Sequence, residues 1–359
     1  MASIRYPPNA LVMAKTQYQF CFGPWNLSEG QDPYGPPTRA AQPFDWKLEQ
    51  LKKHGFNAMM FHDDDAVPEI DAKSDSQVRK EAEELKRRLD GEGIAAEMVA
   101  PRLWFSPMTV DGAYTSNNPK CRRYAIERSL RCLDIAKCLG TDLIVLWLAR
   151  EGSYIREAKN AARAVDYLLE AIDKMLEHDR KVRIVIEPKP NEPMDHAYIP
   201  TIGHAIALAG LTADPRRVGC LIESAHAILA GLDPADEIDF AMRFGKLWSL
   251  HLNDQNGLKY DQDRPFGNVS LRSAFDQIRA LERNGYGQNG EYVCFDVHPF
   301  RTTRPEHWMD HLVNSRRTFQ LLVEKARSFD EATAGRMAAE RDYQGLDQMV
   351  IEHLLGART

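Results

Sequence analysis

Arg183-Ile184-Val185-Ile186-Glu187 and Val218-Gly219-Cys220-Leu221-Ile222-Glu223 decide how this chain is read, because each is an apolar run that ends on a carboxylate. Two more runs behave alike. Leu247-Trp248-Ser249-Leu250 closes on His251 and Tyr292-Val293-Cys294-Phe295 on Asp296, so the polar ends are 36, 28 and 45 residues apart. That spacing fits a strand followed by a crossover helix. Runs that are apolar throughout, rather than at every second residue, suit strands covered on both faces. In a closed parallel barrel the C-terminal strand ends share one mouth. Three carboxylates and an imidazole converging there call for a cation between them.

Working outward, eight such runs alternate with helical stretches: Gln19 to Gly23, Ala58 to His62, Ala96 to Ala100, Asp142 to Leu148, Arg183 to Glu187, Val218 to Glu223, Leu247 to His251 and Tyr292 to Asp296. Between them, Ser76 to Glu92 places Val78, Ala82, Leu85 and Leu89 on one helical face. Arg122 to Leu139, Ala158 to Glu177 and Ser270 to Arg283 are similarly amphipathic. The alternation predicts an α/β fold, a (β/α)8 TIM barrel with a C-terminal helical tail. A doubly wound open sheet is the weaker alternative, since no GxGxxG follows the first run. Residues 1–304 are expected to form the catalytic barrel. Residues 305–359 are expected to form the last barrel helix and a charged helical arm that contacts another subunit, the bland alternative being a frayed terminal helix. The Pro/Gly-rich stretch from Ser28 to Pro43 reads as a loop over the mouth.

Bulk properties narrow the classes. The net charge of −6 gives no electrostatic footprint for nucleic acid. No apolar run approaches the roughly 20 residues of a membrane span. Residues 1–19 hold no apolar signal core, so a cytoplasmic protein is expected. The chain has six cysteines but no CxxC pair, and Cys21, Cys220 and Cys294 lie inside apolar runs. Free buried thiols in a reducing compartment are the expectation.

Four constellations carry chemistry. In Glu187-Pro188-Lys189-Pro190-Asn191-Glu192-Pro193 the prolines stiffen an extended segment, on which Glu187 and Lys189 point the same way. This reads as a metal ligand beside an electrophilic ammonium, against the plainer reading of a salt-bridging loop. Glu223-Ser224-Ala225-His226 lets a carboxylate and an imidazole reach one ion; alone, His226 would pass for a satisfied core histidine. In the loop after His251, Asp261 and Asp263 are spaced to grip a hard cation, though DxD is also common in surface turns. His62-Asp63-Asp64-Asp65 closes the second run with a polarised imidazole, or merely with acids at a helix N-terminus. Trp25, Trp104 and Trp147 fall at or just after strand ends. As three aromatic walls at one mouth they suggest a dry pocket for a small polar ligand.

These residues resemble the xylose isomerases, metal-dependent aldose–ketose isomerases built on a (β/α)8 barrel. The likeness runs from about Phe20 to Thr303. It is carried by Phe61-His62-Asp63-Asp64-Asp65, Asp111-Gly112-Ala113-Tyr114-Thr115-Ser116-Asn117, Arg150-Glu151-Gly152, the segment from Glu187 to Pro193 and that from Gln255 to Asp263. The resemblance implies two divalent cations, manganese, cobalt or magnesium. Glu187, Glu223, His251 and Asp296 would hold the first, and Glu223, His226, Asp261 and Asp263 the second. His62, oriented by Asp65, would open the sugar ring, and Lys189 would bond the C1 oxygen. Trp25, Trp104 and Trp147 would wall the pocket, and Tyr34 would enter a neighbouring subunit's site. Substrate and partners would be an unphosphorylated sugar and further copies of the chain, as a homodimer or homotetramer, with no nucleic acid or membrane.

Departures from the family pattern lie at the pocket. His251 stands where an aspartate ligand is usual, Trp104 where a phenylalanine is, and Leu221 where an asparagine is. A sugar epimerase, or a lyase for oxidised glycosides with a single metal, keeps the barrel and part of the site. A metal-dependent endonuclease could end a strand with His251-Leu252-Asn253-Asp254, but it would need more histidines and a basic groove. A non-catalytic sugar binder would need neither Lys189 nor His62.

Overall fold

Eight parallel strands close on one another in the computed structural model, which describes residues 16–258 and 260–356. They are β1 Gln19–Phe22, β2 Ala58–His62, β3 Ala95–Ala100, β4 Leu143–Trp147, β5 Arg183–Glu187, β6 Val218–Glu223, β7 Leu247–Leu252 and β8 Tyr292–Phe295. Each pairs with its neighbours in sequence, and β1 closes the ring by pairing with both β2 and β8. The expected bounds hold to within a residue. Asp296 falls just past β8, and β7 runs one residue beyond His251.

The reason the runs are apolar throughout is visible in how they pack. One set of side chains, including Met60, Met98, Val145, Val185 and Leu221, fills the barrel interior. The alternating set, including Phe61, Ile184, Ile186 and Leu250, packs against the helices outside. Neither face meets water, so the period of two disappears from the sequence.

The helices begin and end on local chemistry. Helix α1, Asp75–Glu92, starts at Ser74: the Ser74 hydroxyl accepts from the Gln77 backbone N–H, and the Gln77 side chain accepts from the Ser74 backbone N–H. It stops at Gly93, whose φ of 69° closes the last turn, and it buries Val78, Ala82 and Leu89. Helix α2, Pro119–Leu139, starts behind Asn118, whose side chain accepts from the Lys120 N–H.

The expectation of free thiols fails at one pair. Cys21 and Cys294 are register partners on β1 and β8, and their sulfurs are joined as a disulfide with a Cα–Cα distance of 4.6 Å. Strand closure between the first and last strands brings together two residues 273 apart in sequence, a proximity that spacing alone does not encode. Cys121, Cys132, Cys138 and Cys220 are free. No helix among the described residues is long and apolar enough to cross a membrane.

The tail is more strongly tied to its own barrel than its charge suggested. Helix α3, Leu271–Asn284, precedes β8, and α4, Asp310–Ser328, follows it. The helices α5, Glu331–Glu340, and α6, Tyr343–Leu355, then fold back. Phe329 packs edge-on against Phe275 of α3 and against His353 of α6. Arg279 bridges to Glu331 at 2.7 Å and Arg272 to Asp347. The charged residues serve these bridges, while Ala334 and Val350 are buried. Residues 1–15 and 357–359 of the expected barrel and tail lie outside the described residues.

The end of β2 is anchored from behind. Asp63, the first residue of the short helical turn Asp63–Ala66, is fully buried and accepts two hydrogen bonds from Arg128 of α2, at 2.7 and 2.8 Å. A planar guanidinium gripping a carboxylate twice fixes both orientation and distance. Breaking such a buried pair strands a charge. Arg128→Ala is therefore expected to lower the unfolding free energy by about 3–5 kcal/mol, read by urea denaturation. A loss below about 1 kcal/mol, typical of exposed pairs, would show that the pair is only ornamental.

Candidate active site at the barrel mouth

A cavity of about 450 Å³ opens at the C-terminal ends of the strands. Twelve of the fourteen residues singled out by sequence line it: Trp25, His62, Trp104, Trp147, Glu187, Lys189, Glu223, His226, His251, Asp261, Asp263 and Asp296. Asp65 stands behind His62, and Tyr34 is 84% exposed on the loop after β1, away from this chain's own cavity.

The mouth divides into an aromatic half and an acidic half. Along the aromatic half Trp25 lies 4.2 Å from the His62 ring, His62 lies 5.2 Å from Trp104, and Trp104 lies 4.5 Å from Trp147. The Lys189 ammonium stands 5.1 Å from the Trp147 ring. Both ends of this arc are hooked to the acidic half: the Trp25 indole N–H donates to Asp296 at 2.9 Å, and Lys189 meets Asp261 at 3.0 Å. Tryptophan thus orients a candidate ligand as well as walling the pocket.

His62 Nδ1 lies 2.8 Å from Asp65. A carboxylate can only accept, so Nδ1 carries the proton and Nε2 is left for the cavity. Burial would raise the Asp65 carboxyl, but its bonds from His62 hold it below the usual range. The three acids after His62 therefore divide their work, with Asp63 anchoring, Asp64 meeting Arg102 at 3.3 Å and Asp65 orienting the imidazole.

In the acidic half Glu223 is shared by every group of candidate ligands. It lies within 4.8 Å of Glu187 and His226, of His251 and Asp296, and of Asp261 and Asp263. The expected first set is split here, because Glu187 stands with His226, 3.5 Å from its Nδ1, and not in the group of His251 and Asp296. Burial, then the charges of Asp261, Asp296, Asp263 and Glu187, pushes the Glu223 carboxyl well above its ordinary range. Asp263 is pushed up to about 7 by burial and by Asp261. Burial would also raise Asp261, but Lys189 and His226 outweigh it and hold that carboxyl below the usual range. Burial depresses Lys189, yet Asp261 and Glu192 keep its pKa above that of an ordinary lysine, so it is a charged ammonium.

The donor set fits divalent cations. His251 is 1% exposed, and among the described residues neither of its ring nitrogens has a hydrogen-bond partner; His226 Nδ1 and Asp261 Oδ1 are likewise buried with none among them. Orphaned nitrogens and oxygens aimed at shared points among like charges are what a bound ion satisfies.

Comparison with known proteins agrees with this geometry. The profile of the xylose isomerase-like TIM barrel matches residues 48–307. The chain belongs to that family. Xylose isomerase of Thermus thermophilus is 33% identical over 324 residues, covering 88% of this chain and 82% of its own. Solved structures of the same fold include a D-psicose 3-epimerase from Clostridium cellulolyticum H10, with TM-score 0.59 and 16% identity over 85% of this chain and 99% of that one. A 3-keto-D-glucoside 4-epimerase from E. coli has TM-score 0.60 and 13% identity over 84% and 100%. The IOLI protein with a zinc atom has TM-score 0.59 and 17% identity over 86% and 99%. The chain is thus an enzyme of the xylose isomerase-like superfamily.

Several site residues of this xylose isomerase-like chain escaped the sequence reading. Asn253, buried beyond β7, donates to Glu223 at 2.8 Å, to the Asp296 carbonyl at 3.0 Å and to Asp263 at 3.2 Å. Its signal was the period of two from His251, which puts both on one side of the strand. Asn26 donates to Asp296 at 2.6 Å. His298 Nδ1 meets Asp263 at 2.7 Å; burial disfavours its charge, but Asp263 raises it to about 9. Two motifs also explain each other, because the Glu151 carboxylate accepts the N–H groups of Ala113, Tyr114 and Thr115 at 3.0, 3.0 and 2.8 Å.

Asp263 supplies a pH test. Its carboxyl stands at about 7 against an ordinary 3.8, so without cations the folded state holds this proton more tightly than the unfolded chain. The group therefore subtracts stability as pH rises through that window. In cation-stripped protein the melting temperature of wild type minus that of Asp263→Asn is expected to fall between pH 4 and 7, by about 1–2 °C per kcal/mol lost. A difference that rises with pH would reverse the sign of this account.

Proposed function

We propose that this protein is a divalent-cation-dependent aldose–ketose isomerase that acts on unphosphorylated, xylose- or glucose-like sugars by a 1,2-hydride shift. The observation that carries the reading is the charged Lys189 between Trp147 and the acidic half, set across from the His62–Asp65 couple. Cations held around Glu223, by Glu187 with His226, by His251 with Asp296 and by Asp261 with Asp263, would supply Lewis acidity at neighbouring sugar oxygens when bound.

The chain's own residues do the rest. His62, with Asp65 fixing its tautomer, carries a proton at Nε2 between the ring oxygens as the cyclic sugar opens. Lys189 donates to the C1 oxygen as that oxygen gains negative charge, and its ammonium needs no reorganisation to do so. Trp25, Trp104 and Trp147 exclude water from C1 and C2. A hydrogen then leaves C2 for C1 with its electron pair, and the proton of the C2 hydroxyl passes to the new alkoxide oxygen on C1 as C2 becomes the ketone carbon.

An epimerase is the second reading. It is favoured by the Asp263 carboxyl standing at about 7, where a group both takes and gives a proton near neutrality. The names of the structural relatives, D-psicose 3-epimerase and 3-keto-D-glucoside 4-epimerase, agree with it. For assembly we propose a homodimer or homotetramer in which the exposed Tyr34 loop and the outward face of α6, with Tyr343 and Leu355 exposed, meet other copies.

With a screen of aldoses, deuterium placed at C2 is expected to stay in the ketose product; washout into solvent would support the epimerase chemistry instead. A second expectation comes from His251. An imidazole in place of a carboxylate softens the site and removes a negative charge. Activity of stripped and reloaded enzyme is therefore expected to be higher with manganese or cobalt than with magnesium, and His251→Asp to shift the preference toward magnesium. Magnesium clearly outperforming both in wild type would refute it.

A further inference from the structure

Deeper in the barrel, apart from the acids of the mouth, lies another group of ligating atoms. Cys21 of β1, Cys294 of β8 and Glu97 of β3 offer two sulfurs and a carboxylate oxygen that all lie within 4.8 Å of one another. The surrounding interior is apolar, made by Met60, Met98, Val145 and Leu221. Glu97 is 6% exposed. Its Oε1 accepts from the Ser249 hydroxyl at 3.0 Å, while its Oε2 is buried with no hydrogen-bond partner among the described residues. A half-satisfied acid in an apolar interior is a standing cost to the fold, and burial pushes its pKa up to about 7. Nothing in the sugar chemistry of the mouth uses it.

We propose that, when Cys21 and Cys294 are in the dithiol form, Cys21, Cys294 and Glu97 bind one soft divalent cation of the zinc class. Thiolate is the ligand that separates such a cation from the magnesium class, which prefers all-oxygen sites. Two sulfurs and one carboxylate give three corners of a tetrahedron, and the Ser249 hydroxyl or a water gives the fourth. Three negative charges against two positive leave one; Arg183 at the start of β5 acts favourably on Glu97 but is itself paired with Asp142 at 2.8 Å. A cavity of about 700 Å³ at the N-terminal end of the barrel, lined by Glu97, Arg183, Trp248 and Tyr292, gives the ion an approach that does not cross the sugar site.

The disulfide and the metal exclude each other. A thiol or phosphine reductant adds two electrons and two protons across the sulfur–sulfur bond; the cation then displaces the thiol protons to solvent as it binds. The site is therefore open only in reduced protein. It also differs from the mouth in a way spectroscopy reads, since only Cys21 and Cys294 among the candidate ligands supply sulfur.

Cobalt(II) titrated into chelator-stripped protein, kept reduced with a phosphine, tests this. The expected result is a sulfur-to-cobalt charge-transfer band that accounts for one cobalt per chain in addition to any held at the mouth, disappears on adding zinc, and is absent when the disulfide is intact. Cys21→Ser and Cys294→Ser should each abolish it, and Glu97→Gln should weaken cobalt binding at least about tenfold. In wild type, zinc should protect Cys21 and Cys294, but not Cys121, from alkylation in a mass-spectrometric readout that needs no variant to fold. No band and no protection in reduced wild type overturn the proposal, as does a band that survives intact in Cys294→Ser.

Discussion

Everything at the mouth depends on one buried carboxylate. Glu223, 3% exposed, is the member common to the ligand groups on β5, β7 and β8 and on the loop after β7. Burial pushes its carboxyl up most, and four other acids add to that effect. Such a position is tolerable only because donors are aimed at it from fixed backbone. Asn253 ties it to Asp263 and to the Asp296 carbonyl, and the Asn253 side-chain oxygen in turn accepts the Ala225 N–H. The parallel barrel makes this possible, since the register sets Glu223 directly beside His251 on the next strand.

The same constraint explains why half of the mouth is aromatic. Acids crowded on β5 to β8 need counter-donors, and two come from the opposite half, the Trp25 indole and the Lys189 ammonium. Placing tryptophans between these two hooks keeps water away without adding any charge, so each donor acts in a low-dielectric setting. The arc is held from outside by Arg128 gripping Asp63 and by Glu151 stapling the segment from Ala113 to Thr115. These residues do not line the mouth cavity, and their work is to keep strand ends from moving.

How much of this could be read from sequence follows from which signals repeat. Eight strands were legible because a strand covered on both faces is a short unbroken apolar run, and its polar last residue stands out. Glu187, Glu223, His251 and Asp296 were legible as residues of the mouth because they end those runs. Asn253 was not, because one asparagine in a loop of Asn, Asp and Gln has no contrast with its neighbours. The disulfide of Cys21 with Cys294 was not, because only ring closure makes β1 and β8 adjacent. The tail's packing on its own barrel was hidden for a third reason. Its apolar residues Phe329, Ala334 and Val350 are sparse among charges, and those charges make bridges such as Arg279 to Glu331 back to α3.

The mouth and the deeper interior obey one rule applied to different atoms. Above, hard oxygens and imidazoles are crowded until only cations relieve them; below, a lone acid faces two sulfurs in a shell of methionine and valine. Cys294 is the register partner of His251, so β8 and β7 carry both chemistries along the same stretch of ladder. Any ion held below would therefore constrain the strand pair that positions His251 and Asp296 above. The two places differ in hardness, so thiolate below would favour the zinc class over magnesium, whereas the carboxylates above accept magnesium or manganese.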